Sequence, residues 1–412
     1  MSPHNPKNIV ILSTEPWGKM LLSKMHYAIE LVRKGNKVFF INPPQASIPP
    51  QVSTPLQTSA RGSLATVSRV IEEGNLVIID TRTISGSLFF RHKLFPVFRM
   101  ISRRYVRAIQ KIVGSRIDEV WCFNPHYYVD LQSFGADKTM LLIYDFYKGD
   151  HIFKAAESSD AVITISQLIL DYYQDVTPPK LLLQHGLGHH FADKARKKIQ
   201  EGAFAAPANL HPGNPPPAHP PGQKVRIGYM GNLLRVGMNT EVARKIIENH
   251  PDKEFHFWGP CSLDDNNVNG NGAGMPAGQA SFIAFLQARK NVVMHGVMEQ
   301  EALAAGLSEM DAFLFLYSPA TEMNAASNSH KLLEYLSTGK VIVSTQVSNY
   351  AGTDLLVMCD KDKEDDLPGL FEDVMNNLPV YNNIEKQKQR IAFALDNTYA
   401  RQVERIQQFI HR

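Results

Sequence analysis

Short, largely apolar runs without a strict polar–apolar alternation recur along this chain, with longer amphipathic stretches between them. In the first half they are NIVILS (8–13), KVFFIN (37–42), LVIID (76–80), EVWCFN (119–124), MLLIYD (140–145), AVITIS (161–166) and KLLLQH (180–185). In the second half they are VRIGYMG (225–231), EFHFWG (254–259), NVVMHG (291–296), AFLFLY (312–317), VIVST (341–345) and LLVMC (355–359). Helical spacing occupies 20–34, 97–113, 166–174, 239–249, 279–289, 299–309, 329–338 and 363–377. A strand apolar on both faces must be covered on both faces, which parallel sheets flanked by helices achieve. Each half therefore predicts its own doubly wound α/β domain.

The 412 residues exceed what one core normally holds, roughly 250–300. The division expected is 1–195, a linker at 196–224, and 225–395, with a last helical segment at 396–412 crossing back to the first domain. The linker contains AFAAPANLHPGNPPPAHPPGQ (203–223), rich in proline and poor in core formers. DDNNVNGNGAGMPAG (264–278) reads as a surface loop. Two further helical segments, 384–395 and 397–410, have apolar faces that can pack back on the body. No apolar run reaches the ~18 residues of a membrane span. The opening MSPHNPKNIVILS has no basic n-region or cleavage site, so no signal peptide is expected. Cys122, Cys261 and Cys359 are odd in number and far apart, which predicts buried thiols in a reducing cytoplasm rather than a disulfide or zinc framework.

Charge is unevenly spread. Residues 1–190 carry 21 Lys/Arg against 15 Asp/Glu, and 225–412 carry 17 against 23. An anionic partner should meet the first half. Within it, FFRHKLFPVFRMISRRYVRAIQKIVGSR (89–116) holds eight basic residues and no acid. Its Arg99, Arg103, Arg104, Arg107 and Lys111 on an amphipathic helix fit an anionic membrane surface. The alternative is a covering helix with a solvated basic face. No nucleic-acid-binding motif accompanies the patch.

The most informative segment is SNSHKLLEYLSTGKVIVST (327–345), a helix followed by a glycine stop and a strand. Ser327, Asn328 and Ser329 are N-cap residue types. A helix N-terminus with free N–H groups suits a phosphate, and Lys331 in its first turn fits an anion there. Glu334 lies one turn after His330 and Lys331, where a carboxylate can accept from a ribose diol. The plainer reading is a capped amphipathic helix with solvated Lys331 and Glu334. GYMGNLLR (228–235) sets Gly231 and Asn232 after a strand, with Arg235 close by. That is a phosphate-side loop or an ordinary strand-to-helix turn. HFWGP (256–260) and MHGVM (294–298) are similar turns that either flank a nucleobase or only redirect the chain. In the first half, Trp17, Gly18 and Lys19 form a strand-to-helix loop. IYDFYKGDH (143–151) offers Asp145 and Asp150 as a general base or as helix caps. HGLGHH (185–190) lacks the geometry of a zinc site and reads as a hinge.

Together these segments resemble the GT-B glycosyltransferases, close to the family-four-like group, over nearly the full length. IGYMGNL, HFWGP, NVVMHGVMEQEALAAGLSEMDAFLFLY and NSHKLLEYLSTGKVIVST carry the resemblance, with YDFYKGDHIFKAAESSDAVITISQLI in the first half. It implies two Rossmann-like domains facing a central cleft. It also implies a nucleotide diphosphate sugar as donor and transfer to an acceptor hydroxyl in polysaccharide, lipopolysaccharide or glycolipid synthesis, with neither metal nor cofactor. His330, Lys331, Gly231, Asn232 and Arg235 would meet the diphosphate, with Ser329 at the same helix start. Glu334 would meet the ribose, Val297 and Met298 the base, and Gly18 the acceptor. The family's Glu-x7-Glu is not kept: Ala326 stands eight before Glu334, and Glu322 is the nearest upstream acid. Asp145 or Asp150 is the base if the reaction inverts. The partners implied are a sugar nucleotide and a glycan or lipid-linked acceptor, at the inner face of the cytoplasmic membrane. The alternatives are a nucleotide-sugar epimerase on the same fold and a non-catalytic sugar-nucleotide-binding scaffold. A nicotinamide oxidoreductase is disfavoured, because no G-x-G-x-x-G follows either first strand.

Overall fold

The structure is a computed structural model that describes residues 5–18, 20–45, 63–84, 87–204, 224–263, 275–318 and 328–411. The chain divides into two units, Met1–Gln184 with Gln402–Arg412, and His185–Arg401.

The first unit contains β1 (Asn8–Leu12), α1 (Ser23–Arg33), β2 (Lys37–Ile41), β3 (Ala65–Ile71), β4 (Leu76–Thr81), α2 (Ser87–Lys93), α3 (Phe95–Val113), β5 (Glu119–Cys122), β6 (Lys138–Ile143), α4 (Asp150–Glu157), β7 (Ala161–Thr164), α5 (Gln167–Tyr172) and β8 (Lys180–Leu182). Its sheet runs β3-β4-β2-β1-β5-β6-β7-β8, parallel except for the β3–β4 pair. The predicted strands are present, and their residues from Ile9 to Leu12 and Val38 to Ile41 are buried. Sequence pattern misses β3, α2, α4 and the helix at 189–201. The reason is visible in β3: an edge strand only partly covered keeps polar residues at half-exposed positions, so it lacks the continuous apolar run.

The second unit begins with α6 (His189–Glu201) and continues with β9 (Arg226–Met230), α7 (Thr240–Asn249), β10 (Glu254–Trp258), α8 (Ala277–Gln287), β11 (Val292–Gly296), α9 (Gln300–Ser308), β12 (Ala312–Phe315), α10 (His330–Ser337), β13 (Val341–Ser344), β14 (Val357–Met358), α11 (Leu367–Asn376), α12 (Leu378–Tyr381), α13 (Ile384–Asp396) and α14 (Tyr399–Ile410), which carries the chain back into the first unit. Its sheet, β11-β10-β9-β12-β13-β14, is parallel throughout. Counted within the unit, that is the doubly wound order 3-2-1-4-5-6, whose ligand crevice opens at the carboxyl ends of the strands where the order reverses. That point lies between β9 and β12.

The expected linker from 196 starts inside α6, so residues 196–201 are helical; 205–223 lie outside the described residues, as do 264–274. Cys122 and Cys359 are buried free thiols, and burial pushes Cys122 up to about 12. Cys261 is only half-buried, because it sits in the turn past β10 rather than within the strand. Among the described residues no helix is long and apolar enough to cross a membrane.

Each unit has a tether that fixes a chain end. Near the start of the second unit, the Leu187 amide donates to Asn397 O (2.7 Å) and the Tyr399 amide donates to Leu187 O (3.1 Å). Gly186 lies against the buried Tyr399 ring so closely that a Cβ there would stand 2.3 Å from it. In the first unit, the Glu119 carboxylate, 1% exposed, accepts from Lys7 Nζ (2.7 Å), Trp121 Nε1 (2.9 Å) and Gln407 Nε2 (2.8 Å). That network ties the chain's last turns to β1 and β5.

Candidate functional site

In the second unit the carboxyl ends of β9, β10 and β11, beside the switch point, carry glycines. Gly231 follows β9, and its amide donates to Trp258 O (2.9 Å). Gly259 follows β10 at φ +125°, and its amide donates to Gly296 O (2.8 Å). A Cβ on Gly259 would stand 2.0 Å from Gly231 O, and one on Gly231 would meet Tyr229 Oη at 2.8 Å and Lys331 Nζ at 3.1 Å. These strand ends are packed backbone to backbone, and only glycine allows it. Asn232 is used locally, its Oδ1 accepting from the Leu234 amide (2.9 Å).

Three charged or polar groups, one each from α10, the β9 turn and the end of β12, converge there. Lys331 Nζ donates to Tyr317 Oη (2.6 Å), and the Arg235 guanidinium lies 4.7 Å from the Tyr317 ring centroid. Lys331 and Arg235 are thus drawn to one buried phenol beside Gly231. Burial works to raise the Tyr317 hydroxyl, and the charges of Lys331 and Arg235 outweigh it, leaving it below the ordinary phenol value. Ser329 takes the N-cap position with extended backbone, yet its hydroxyl accepts nothing from the helix. The His330 ring stands 5.8 Å from the His185 ring, edge to face.

Glu334 is 3% exposed, one turn into α10. Burial pushes its carboxyl up to about 8, with Lys331 pulling it down. Its Oε2 is buried and has no hydrogen-bond partner among the described residues. A buried polar atom without a partner costs about 1–3 kcal/mol, so such an atom marks a place where a donor group belongs. The plain solvated-glutamate reading is excluded by this burial. Val297 and Met298 follow β11, half-buried and exposed respectively.

In the first unit the order reverses between β1 and β5, and polar groups gather at the carboxyl ends there. Lys24, 8% exposed on α1, donates to Thr14 Oγ1 (2.5 Å) and pairs with Glu15, both just past β1. Burial lowers Lys24 to about 8, against the raising effect of Asp145. Asp145, past β6, is exposed and accepts from Tyr147 Oη (3.1 Å). His126, past β5, faces His151 (3.3 Å between ring nitrogens) and packs edge-on to Tyr147 at 4.6 Å. Burial first, and then Arg91, push His126 down to about 4, so its imidazole is neutral at pH 7. Asp150 is the first residue of α4, where the helix dipole favours a carboxylate and a structural role suffices. Trp17 donates its amide to Asn42 Oδ1 (2.8 Å) and packs on Phe40; Gly18 adjoins it. Lys19 and Glu322 lie outside the described residues, as does Ser327.

Sequence reading missed Lys24, His126, Tyr147 and Tyr317. The signal for His126 was available in EVWCFNPHYY: a polar residue just past a fully apolar strand. Lys24 gave none, because a lysine in the first turn of an amphipathic helix normally points to water.

The basic helix also divides. Arg99 and Arg103 both bond Asp130 Oδ2 (2.9 and 2.8 Å), a carboxylate 6% exposed. Burial works to raise Asp130, and the two guanidiniums hold it below the usual carboxylate value. Arg104, Arg107 and Lys111 are exposed, beside Met100 at 51% and near Leu94 at 49%.

No protein-family model matches the sequence, and no curated protein matches it. Solved structures do match in shape. A sucrose-phosphate synthase from Thermosynechococcus elongatus superposes with TM-score 0.63 at 11% identity, over 98% of this chain and 99% of that one. An Escherichia coli trehalose-6-phosphate protein bound with UDP-2-fluoro glucose gives 0.63 at 9% identity, again over 98% and 99%. Anabaena HepE, in complex with UDP and glucose, gives 0.57 at 11% identity, over 98% and 100%. With its two α/β bodies, each built round a parallel sheet, this chain has the GT-B fold of those structures.

Proposed function

We propose that the chain is a glycosyltransferase that moves a sugar from a nucleotide diphosphate sugar to an acceptor hydroxyl. The observation that carries the reading is Glu334: a buried carboxyl with an unpartnered oxygen, one turn behind Lys331 and the start of α10, at the switch point of a doubly wound sheet. A ribose supplies the missing O–H donors, and the attached diphosphate would reach Lys331, Arg235 and the helix N–H groups. The names of two neighbours in shape, one bound with UDP-2-fluoro glucose and one with UDP and glucose, support the same donor class.

In this reading the bond between the sugar's C1 and the diphosphate oxygen breaks, and a bond from C1 to the acceptor oxygen forms. Lys331, Arg235 and the start of α10 take up the charge left on the diphosphate, and need no metal to do so. Asp145, held by Tyr147, accepts the acceptor's proton if the reaction inverts. His126, neutral beside it, is suited to hydrogen-bonding the acceptor. The exposed Arg104, Arg107 and Lys111, with Met100 and Leu94, support an acceptor carried at an anionic membrane surface.

The test is a thermal-shift screen with UDP, GDP, ADP, CMP and their sugars on the natural chain and Glu334→Ala. A nucleotide at a hundred times its Kd stabilises by about 2.7 kcal/mol. A shift for one diphosphate, lost in Glu334→Ala, is expected. No shift with any of them overturns the reading. Turnover of a sugar nucleotide with no acceptor present would instead identify an epimerase.

A further inference from the structure

Tyr317 closes the run AFLFLY (312–317) and had no role of its own in the sequence reading, yet it is the residue on which the two phosphate-side cations meet. Its own position is fixed from three sides. It bridges Met238 in antiparallel fashion, the Ser318 amide donates to Gly237 O (3.0 Å), and Thr345 Oγ1 donates to Tyr317 O (2.6 Å). The ring is 5% exposed and packs edge-on to Phe315 at 4.8 Å. From that fixed base the hydroxyl accepts from Lys331 Nζ at 2.6 Å, while the ring face carries the Arg235 guanidinium at 4.7 Å. Lys331 Nζ also stands 5.1 Å from the same ring centroid. Two like charges on flexible side chains repel and spread unless something draws both in. An oxygen acceptor and an electron-rich ring face do so at one point.

We propose that Tyr317 is a positioning residue for the diphosphate: it holds Lys331 and Arg235 beside Gly231, at the start of α10, before any anion arrives. The inference rests on the donor-site reading above and adds to it the group that sets the spacing of the cations. A cation held in place loses little side-chain freedom on binding, so Tyr317 contributes to affinity for the phosphates without touching the nucleoside.

The experiment measures binding of UDP, uridine and inorganic pyrophosphate by calorimetry to the full chain and to Tyr317→Phe and Tyr317→Leu. Tyr317→Phe keeps the ring under Arg235 and removes the acceptor for Lys331. It should bind UDP and pyrophosphate about tenfold more weakly, the loss of one charge-assisted hydrogen bond. Tyr317→Leu should lose about a further tenfold. Uridine affinity should stay within about twofold in both, a split that general loosening of the fold would not produce. UDP affinity unchanged in Tyr317→Phe, or uridine weakened as much as UDP, overturns the proposal. If the natural chain binds pyrophosphate but no nucleotide, the donor reading falls, and the pyrophosphate ratio of Tyr317→Phe to natural chain still decides the role of Tyr317. If Tyr317→Leu does not fold, the affinities of Tyr317→Phe are sufficient to uphold or overturn that role.

Discussion

Replacing Glu334 by glutamine should abolish a pH dependence of stability that the natural chain carries. Burial raises this carboxyl from 4.5 to about 8, against the pull of Lys331. Between those values the folded chain keeps a proton that the unfolded chain has released. Its contribution is therefore fully present below about pH 4.5 and is lost as pH rises toward 8. At about 1.4 kcal/mol per pH unit, the loss between pH 5 and pH 8 sums to about 3–4 kcal/mol. Glutamine has the same shape and no proton to lose. The two chains should thus match within about 1 kcal/mol at pH 5, and Glu334→Gln should be the more stable at pH 8 by about 3 kcal/mol. For a unit of this size that is about 10 °C in melting temperature. Comparing the two chains at each pH cancels every other titrating group. A melting difference that stays constant from pH 5 to pH 8 would refute the argument, since it would mean that Glu334 ionises in the fold as easily as in water. Saturating UDP should shrink the difference at pH 8, because ribose hydroxyls would solvate the carboxylate.

Gly259→Ala places a Cβ 2.0 Å from Gly231 O at φ +125°, so it should cost at least about 3 kcal/mol by urea unfolding and reduce UDP binding. Gly186→Ala drives a Cβ into the Tyr399 ring and should cost about 1–3 kcal/mol, recovered in part by Tyr399→Leu. The Asp130 carboxyl lies below its ordinary value, so its contribution is present above about pH 4 and fades as pH falls through the native value. Asp130→Asn should therefore cost about 1 kcal/mol at pH 7 and progressively less as the pH falls below about 4, read from urea midpoints. In flotation with anionic vesicles, Arg104→Glu, Arg107→Glu and Lys111→Glu together should abolish binding and Arg99→Gln should change it little. Equal loss in both would show that the Asp130 pair is also part of the surface.

The sheets were legible because buried parallel strands leave no room for polar residues, as in β1, β2, β12 and β13. Strand β3 was illegible for the opposite reason: at an edge with both faces partly wet, nothing enforces an apolar run. The candidate site was readable where backbone chemistry dictates residue type, at Gly231 after its strand and at the start of α10. It was not readable where the chemistry depends on residues far apart in sequence. Tyr317 lies 88 positions from Tyr229 and 82 from Arg235, and only the pairing of β9 with β12 brings them together. The same holds for Lys24, which feels the charge of Asp145 because α1 starts, and β6 ends, at the carboxyl ends of the first sheet's strands. The burial of Glu334 was not visible either, because a glutamate in a helix carries no mark of which way the helix faces.

The pairing of Leu187 with Asn397 and Tyr399 has a consequence for how this protein can be taken apart. The second unit is an uninterrupted stretch, 185–401, set inside a first unit whose own chain is interrupted. Its incoming and outgoing segments are joined by two backbone hydrogen bonds at an isolated bridge, Leu187 to Thr398. A stretch with joined ends and its own core has the properties of a cassette. Cut out as a gene fragment, 185–401 should express as an independent nucleotide-binding protein, and a short loop joining its ends would allow new termini to be opened elsewhere on its surface.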